Sequence, residues 1–274
     1  MKRKRIFYIL YLASAMVFAQ KQVPNDSPRK NTRPAYLRIS SGINSASFRD
    51  FATSPLIYSG LPFYLGLTHL DIDAKRTSLF SMTYSFGQYT NTFNNHQSVS
   101  SVRTLSMNYL ELRQLKAIQS DQWNLKVGGQ LNTTANHRQN DLLQNNGEGI
   151  EVIATLFGSL SLTHYLKRKE RQSDQLSFTF HTGLINSSYR NGFAYTNQSA
   201  LLNRDEFFAN YQLEVFSGLR LASALDYTFF LKNHNAIQVS YLWDAYHTGK
   251  DEGEFEMATH TLTCSILFNL KQFK

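Results

Sequence analysis

A serine hydroxyl becomes a nucleophile when an imidazole lies within reach of its proton, and a His and a Ser two residues apart share one face of a β-strand. The chain has one His-x-Ser pair, His96 and Ser98, inside the polar stretch Asn94-Asn95-His96-Gln97-Ser98. That composition reads as a loop, with no common face to hold the two side chains together. At the same spacing His181 is followed by Gly183, and His260 by Leu262. Two acidic groups beside a histidine could position and deprotonate a water. His247, Asp251 and Glu252 form such a set, and Asp205-Glu206 a partial one; both read as solvated loop residues. No two of the eight histidines fall two or four residues apart, and Cys264 stands alone, so neither a metal site nor a disulfide framework is expected. Gly128-Gly129 sits inside a strand pattern, which argues for relief of crowding rather than a phosphate-cradling loop. These residues call for no cofactor.

Another set of ionisable residues does share a pattern. Arg38, Glu111, Lys126, Glu151, His181, Arg220, Asp226 and Asp244 lie on, or one slip away from, the polar phase of segments whose other phase is apolar. Phe80, Met82, Tyr84 and Phe86 alternate with Ser81, Thr83, Ser85 and Gly87; Leu262, Cys264, Ile266 and Phe268 alternate with Thr261, Thr263, Ser265 and Asn269. A two-residue period is the signature of a strand with two different faces. It predicts ten strands, over 35–45, 61–73, 77–89, 102–115, 122–134, 149–165, 175–187, 215–231, 236–248 and 257–272. The stretch 188–214, with Asn191-Gly192-Phe193-Ala194-Tyr195 and Phe207-Phe208, has room for a further hairpin, which would make twelve. Within 102–115 the apolar phase slips near Tyr109-Leu110, so a bulge is expected to turn Glu111 and Arg113 to the polar side. Glu111 then faces Lys126 and Arg220 faces Asp244, as ion pairs across neighbouring strands.

The expected connections alternate in length. Those at 46–60, 90–101, 135–148, 188–214 and 249–256 are long; those at 74–76, 116–121, 166–174 and 232–235 are short. A soluble sandwich has no reason to sort its loops this way, whereas a transmembrane β-barrel has short turns on one side of the bilayer and long loops on the other. Backbone groups in hydrocarbon must all be paired, so a sheet crossing it has to close. The expected fold is therefore an all-β, antiparallel, up-and-down transmembrane barrel with apolar residues facing lipid and the ionisable set facing the lumen. Ten strands lie near the size at which side chains fill the interior. Composition agrees: charged residues are 18%, against about 25% in soluble domains, and aromatics 14%. Mean hydropathy is −0.35, which excludes a bundle of membrane helices.

Residues 1–19 read as a secretory signal peptide: Met1-Lys2-Arg3-Lys4-Arg5 is basic, Ile6–Phe18 is apolar, and Val17-Phe18-Ala19 is a small-residue cleavage site. Loss of Lys2, Arg3, Lys4 and Arg5 takes the net charge from +8 to +4, and no basic cluster with interleaved aromatics replaces them, so nucleic acid is not an expected partner. Residues 20–34 read as a basic periplasmic tether and 35–274 as the barrel.

With these features the chain resembles small outer-membrane β-barrel proteins of Gram-negative bacteria, and Val17-Phe18-Ala19-Gln20 is similar to the cleavage region of many secreted Bacteroidota proteins. The resemblance implies outer-membrane lipids and lipopolysaccharide as surroundings. It also implies a C-terminal strand read by the barrel-insertion machinery, with Phe268 and Phe273 in that signal and Lys274 as a departure from the commonest ending. The basic turn Lys167-Arg168-Lys169-Glu170-Arg171 offers a surface to an acidic periplasmic or envelope protein. The expected role is structural, binding or adaptor, with a largely filled polar lumen. A narrow small-solute channel and an outer-rim hydrolase, omptin-like or lipid-modifying, are the alternatives.

Overall fold

The structure, a computed structural model, describes residues 33–270 apart from 94–95, 121, 167–173, 191–210, 217–218 and 250–253. The signal peptide, most of the tether, the basic turn, Phe273 and residues 191–210 of the stretch with room for an extra hairpin lie outside the described residues. Among those described, twelve strand segments occur: β1 (Ala35–Asp50), β2 (Ser54–Gly60), β3 (Phe63–Ile72), β4 (Arg76–Phe93), β5 (His96–Gln119), β6 (Trp123–Gln139), β7 (Glu148–Leu166), β8 (Asp174–Arg190), β9 (Tyr211–Val215), β10 (Arg220–Phe230), β11 (Ala236–Thr248) and β12 (Phe255–Asn269). One 3-10 turn spans Asp141–Asn146.

Every pairing is antiparallel, and the last strand pairs back onto the first from Tyr36–Asn269 to Asp50–Phe255. The sheet is a closed ring. β2 and β3 both lie between β1 and β4 and are two halves of one stave. β9 and β10 both pair with β8 and form another. The barrel thus has 10 staves, the number the alternation predicts.

Leu61 and Pro62 break the first of the split staves. Proline has no amide to give the ladder, but its carbonyl still accepts from the Asn44 amide at 2.9 Å. Gly87 lies against it: a Cβ there would come 2.6 Å from Pro62 Cα, so a larger residue requires the backbone to move.

Alternation sorts the side chains. On β4, Thr77, Ser81, Ser85 and Tyr89 are buried inside, while Phe80, Met82, Tyr84 and Phe86 are exposed outside. On β12, Thr261, Thr263, Ser265 and Leu267 face in; Leu262, Ile266 and Phe268 face out. The outward set forms a continuous apolar belt around the ring, larger than any patch a water-soluble monomer exposes, and it faces lipid. Charged residues bound the belt at the end where the described chain starts and finishes, with Arg76 paired to Glu111. At the opposite end Ser45, Ser47, Gln88, Gln97 and Ser101 take over the outward positions.

The expected long loops are the main point of correction. β1 runs to Asp50, β4 to Phe93, β6 to Gln139 and β8 to Arg190, so most of 46–60, 90–101 and 135–148 is strand. Beyond the belt the outer face meets water and needs no apolar phase, so the alternation fades while the backbone ladder continues. The barrel wall therefore stands proud of the lipid as a collar.

A substitution pair separates belt from collar. Leu160→Arg places a guanidinium on the lipid face and is expected to cost about 2–4 kcal/mol. Ser101→Arg, on the outer face of the collar, is expected to change stability little. Urea unfolding of the refolded protein in bilayers measures both.

Candidate functional site

Inside the collar, side chains from separate staves meet over the lumen. Asp50 ends β1 and is 2% exposed. Its carboxylate accepts from Arg138 on β6 at 2.8 Å and from Arg190 on β8 at 2.5 Å, and it caps the amide of Ala52 at 3.1 Å. Arg190 also reaches Glu151 on β7, at 3.3 Å. Glu151 is fully buried and accepts from Asn136 at 2.9 Å and from the Tyr246 hydroxyl at 3.0 Å. Aromatic rings fill what the charges leave: Phe48 stacks on Tyr58 at 5.2 Å and lies 6.0 Å from Phe255. The guanidiniums of Arg138 and Arg190 lie 4.2 and 5.1 Å from the Phe255 ring centre, within cation–π range. Ala46, Tyr89, Val102, Ile153 and Met257 complete the cluster. Together they form a plug across the far end of the lumen.

Arg190 reaches the plug because β8 carries one extra residue. Opposite β7 the register jumps from Phe157–Gly183 to Leu156–Ile185, leaving Leu184 unpaired. The bulge exchanges the two faces for the remainder of the strand, as bulges do. Below it His181 points inward; above it Asn186, Ser188 and Arg190 do.

Beneath the plug lies a cavity of about 270 Å³. Its upper wall is the expected pair, Arg220 and Asp244, at 3.0 Å. Arg220 also donates to Thr155 at 3.2 Å and to Thr134 at 3.1 Å, so its charge is held by three partners. At the lower end Arg38 donates to Gln238 at 2.9 Å and to Thr68 at 3.2 Å. Asp226 faces Arg38 and is hydrogen-bonded by Ser240. Tyr36, Leu70, Phe230, Ala236 and Leu267 form a second apolar cluster at the end that holds the described termini. Arg38, Lys126, Glu151, His181, Arg220, Asp226 and Asp244 are thus all on the inward face.

Glu111 is not. No bulge interrupts β5 between Leu105 and Arg113 against either neighbour, and the phase is unbroken. Leu110 and Leu112 are the inward residues, 7% and 2% exposed, because apolar side chains also fill this end of the lumen. Glu111 and Arg113 face outward; Glu111 is bound by Arg76 and by the Ser78 hydroxyl at 2.6 Å. Lys126 has other partners: its ammonium donates to the Asp73 carbonyl at 2.5 Å and to the Thr77 hydroxyl at 2.8 Å. Asn124 donates to the Ala74 carbonyl at 2.8 Å, so two β6 side chains hold the β3–β4 turn. Burial works against ionisation of Asp73 in that turn. The Arg76 and Lys75 amides and the Arg33 and Lys126 charges outweigh it and hold the carboxyl below the usual value.

Ser98 lies in β5, not in a loop, and its hydroxyl accepts from Asn140 at 2.9 Å. A different Ser–His contact is present. Ser159 and His181 sit opposite each other on β7 and β8, and Ser159 Oγ lies 2.7 Å from His181 Nδ1. Residue spacing along one strand does not reveal such cross-strand pairs. Both residues are buried, and the described residues form no cluster of three metal-ligating groups. His247 lies 3.9 Å from Glu254, an exposed pair at the far rim; Asp251, Glu252, Asp205 and Glu206 lie outside the described residues.

No family model and no curated protein matches the sequence. Among solved structures, the translocator domain of the autotransporter NalP from Neisseria meningitidis aligns at TM-score 0.41 and 6% identity, over 97% of each chain. A TodX deltaS2S3 mutant monoaromatic hydrocarbon channel aligns at 0.33 and 6% identity, over 86% of this chain and 91% of that one. A Pseudomonas aeruginosa FadL homologue aligns at 0.29 and 8% identity, over 87% and 90%.

Two of the lumenal carboxylates, Asp50 and Asp244, are expected to differ in weight. Asp50→Asn leaves the buried Arg138 without its charge partner and Arg190 with Glu151 alone, at about 3–5 kcal/mol. Asp244→Asn leaves Arg220 with both threonines, and Asp244 is itself 35% exposed, so the cost is smaller. Heat-modifiability on gels is expected to show the greater fall in unfolding temperature for Asp50→Asn.

Proposed function

We propose that this chain is an outer-membrane β-barrel that does not conduct, acting through its surfaces as a structural, binding or adaptor protein. The observation that carries this reading is the plug. Asp50, Arg138, Arg190 and Glu151 bind one another across the lumen while Phe48, Tyr58, Tyr89 and Phe255 fill the space between. Opening such a plug separates buried charges, which is strongly unfavourable. The outer membrane as location is supported by the lipid-facing belt and by the signal-peptide reading of residues 1–19. Short turns at 73–75 and 231–235 suit the periplasmic side, and the collar then stands on the cell surface.

A narrow channel is the second reading, favoured by the polar cavity beneath the plug. Planar-bilayer recording decides between them. The wild-type protein is expected to give no stepwise current, and Phe48→Ala combined with Phe255→Ala is expected to give small steps. Large, stable steps from the wild type would overturn the non-conducting reading. Fractionation is expected to recover the protein in the outer membrane, with Gln20 as its first residue; recovery from the soluble periplasm would overturn the location.

A further inference from the structure

We infer that the lumenal cavity is a binding chamber for one small, neutral, polyhydroxylated solute of the polyol or monosaccharide class. At about 270 Å³ it lies at the small end of the range of ligand pockets, roughly 300–1,000 Å³. A single small molecule suits a space of that size. The inference does not depend on whether the barrel conducts, since a chamber can fill through transient opening at either end.

The chemistry of the wall selects the class. Serine, threonine, asparagine and glutamine side chains, mostly of β4, β5, β6 and β12, make up half of its lining, with Tyr64, Phe157 and Trp243 among the rest. Hydroxyls and amides both donate and accept, which matches a guest whose own hydroxyls do the same. The charges of the chamber are spread and balanced rather than focused. Arg220 is paired to Asp244 at one end, and Arg38 lies beside Asp226 at the other. An anion or a cation at the upper wall would compete with the Arg220–Asp244 pair, whereas a neutral guest leaves that pair intact.

The full-length protein, refolded in detergent, provides the test. Its unfolding temperature is followed by heat-modifiability while glucose, xylitol, inorganic phosphate or lysine is titrated. A guest that binds only the folded state raises that temperature along a saturating curve. Exclusion of an osmolyte from the surface raises it without saturation. The control is Ala224→Phe, an inward position in the chamber wall on β10 where a ring takes up the space. Ala222→Leu replaces it if that variant fails to fold. The expected result is a saturating rise with glucose or xylitol for the wild type, lost in the filled variant, with no saturating rise from phosphate or lysine. A saturating rise from a charged probe alone overturns the class of ligand. The same curve in wild type and filled variant, or no saturating component in either, overturns the chamber. A silent bilayer recording together with a saturating glucose titration supports both readings; steps with a saturating titration overturn only the non-conducting one.

Discussion

Hydrocarbon offers no hydrogen bonds, and closure of the sheet is the constraint on which the rest of this molecule depends. Pairing of β12 with β1 over the full length of β1 removes both edges at once. After closure the two faces of every strand meet different surroundings all the way round, and a two-residue period in the sequence becomes an inside and an outside. The even number of staves brings the first and last strands to the same rim. The interior of a ring this narrow is then largely occupied by its own side chains.

Filling creates a second problem, since charges inside cost several kcal/mol each unless they are partnered. The lumen answers it by using each acidic group more than once. Asp50 serves two guanidiniums and a turn amide, while Glu151 serves a guanidinium, an amide and a phenol. Aromatic faces take up the guanidinium surface that hydrogen bonds leave over. The same residues therefore knit the staves together and close the far end of the bore.

Much of this is legible in the sequence. The alternation carries the fold class, the number of staves and the inward direction of seven of the eight ionisable residues singled out. It fails where the local rule changes. Arg138 continues the phase of Asn132, Thr134 and Asn136, and Asp50 that of Asn44, Ala46 and Phe48, but both lie where the outward face turns polar and the alternation stops. Extending the inward period through the polar stretch finds them. Arg190 cannot be found that way, because the unpaired Leu184 reverses its face and bulge positions leave little trace in composition. Glu111 shows the opposite error: two inward leucines mimic a slip in phase, when apolar residues simply pack inside that end of the barrel. The Ser159–His181 contact arises from register between strands, which spacing along one strand does not encode.

The collar has one further consequence. Within the bilayer, lipid presses on the belt from all sides and helps to keep its cross-section round. Above the lipid no such lateral pressure acts, and a thin sheet standing free in water tends to flatten. The spokes from Asp50 to Arg138 and Arg190, and from Arg190 to Glu151, run between β1, β6, β8 and β7, so they span the diameter as well as the wall. They act as cross-bracing, which makes the exposed part of this barrel self-supporting and presents any surface ligand with a rim of fixed outline.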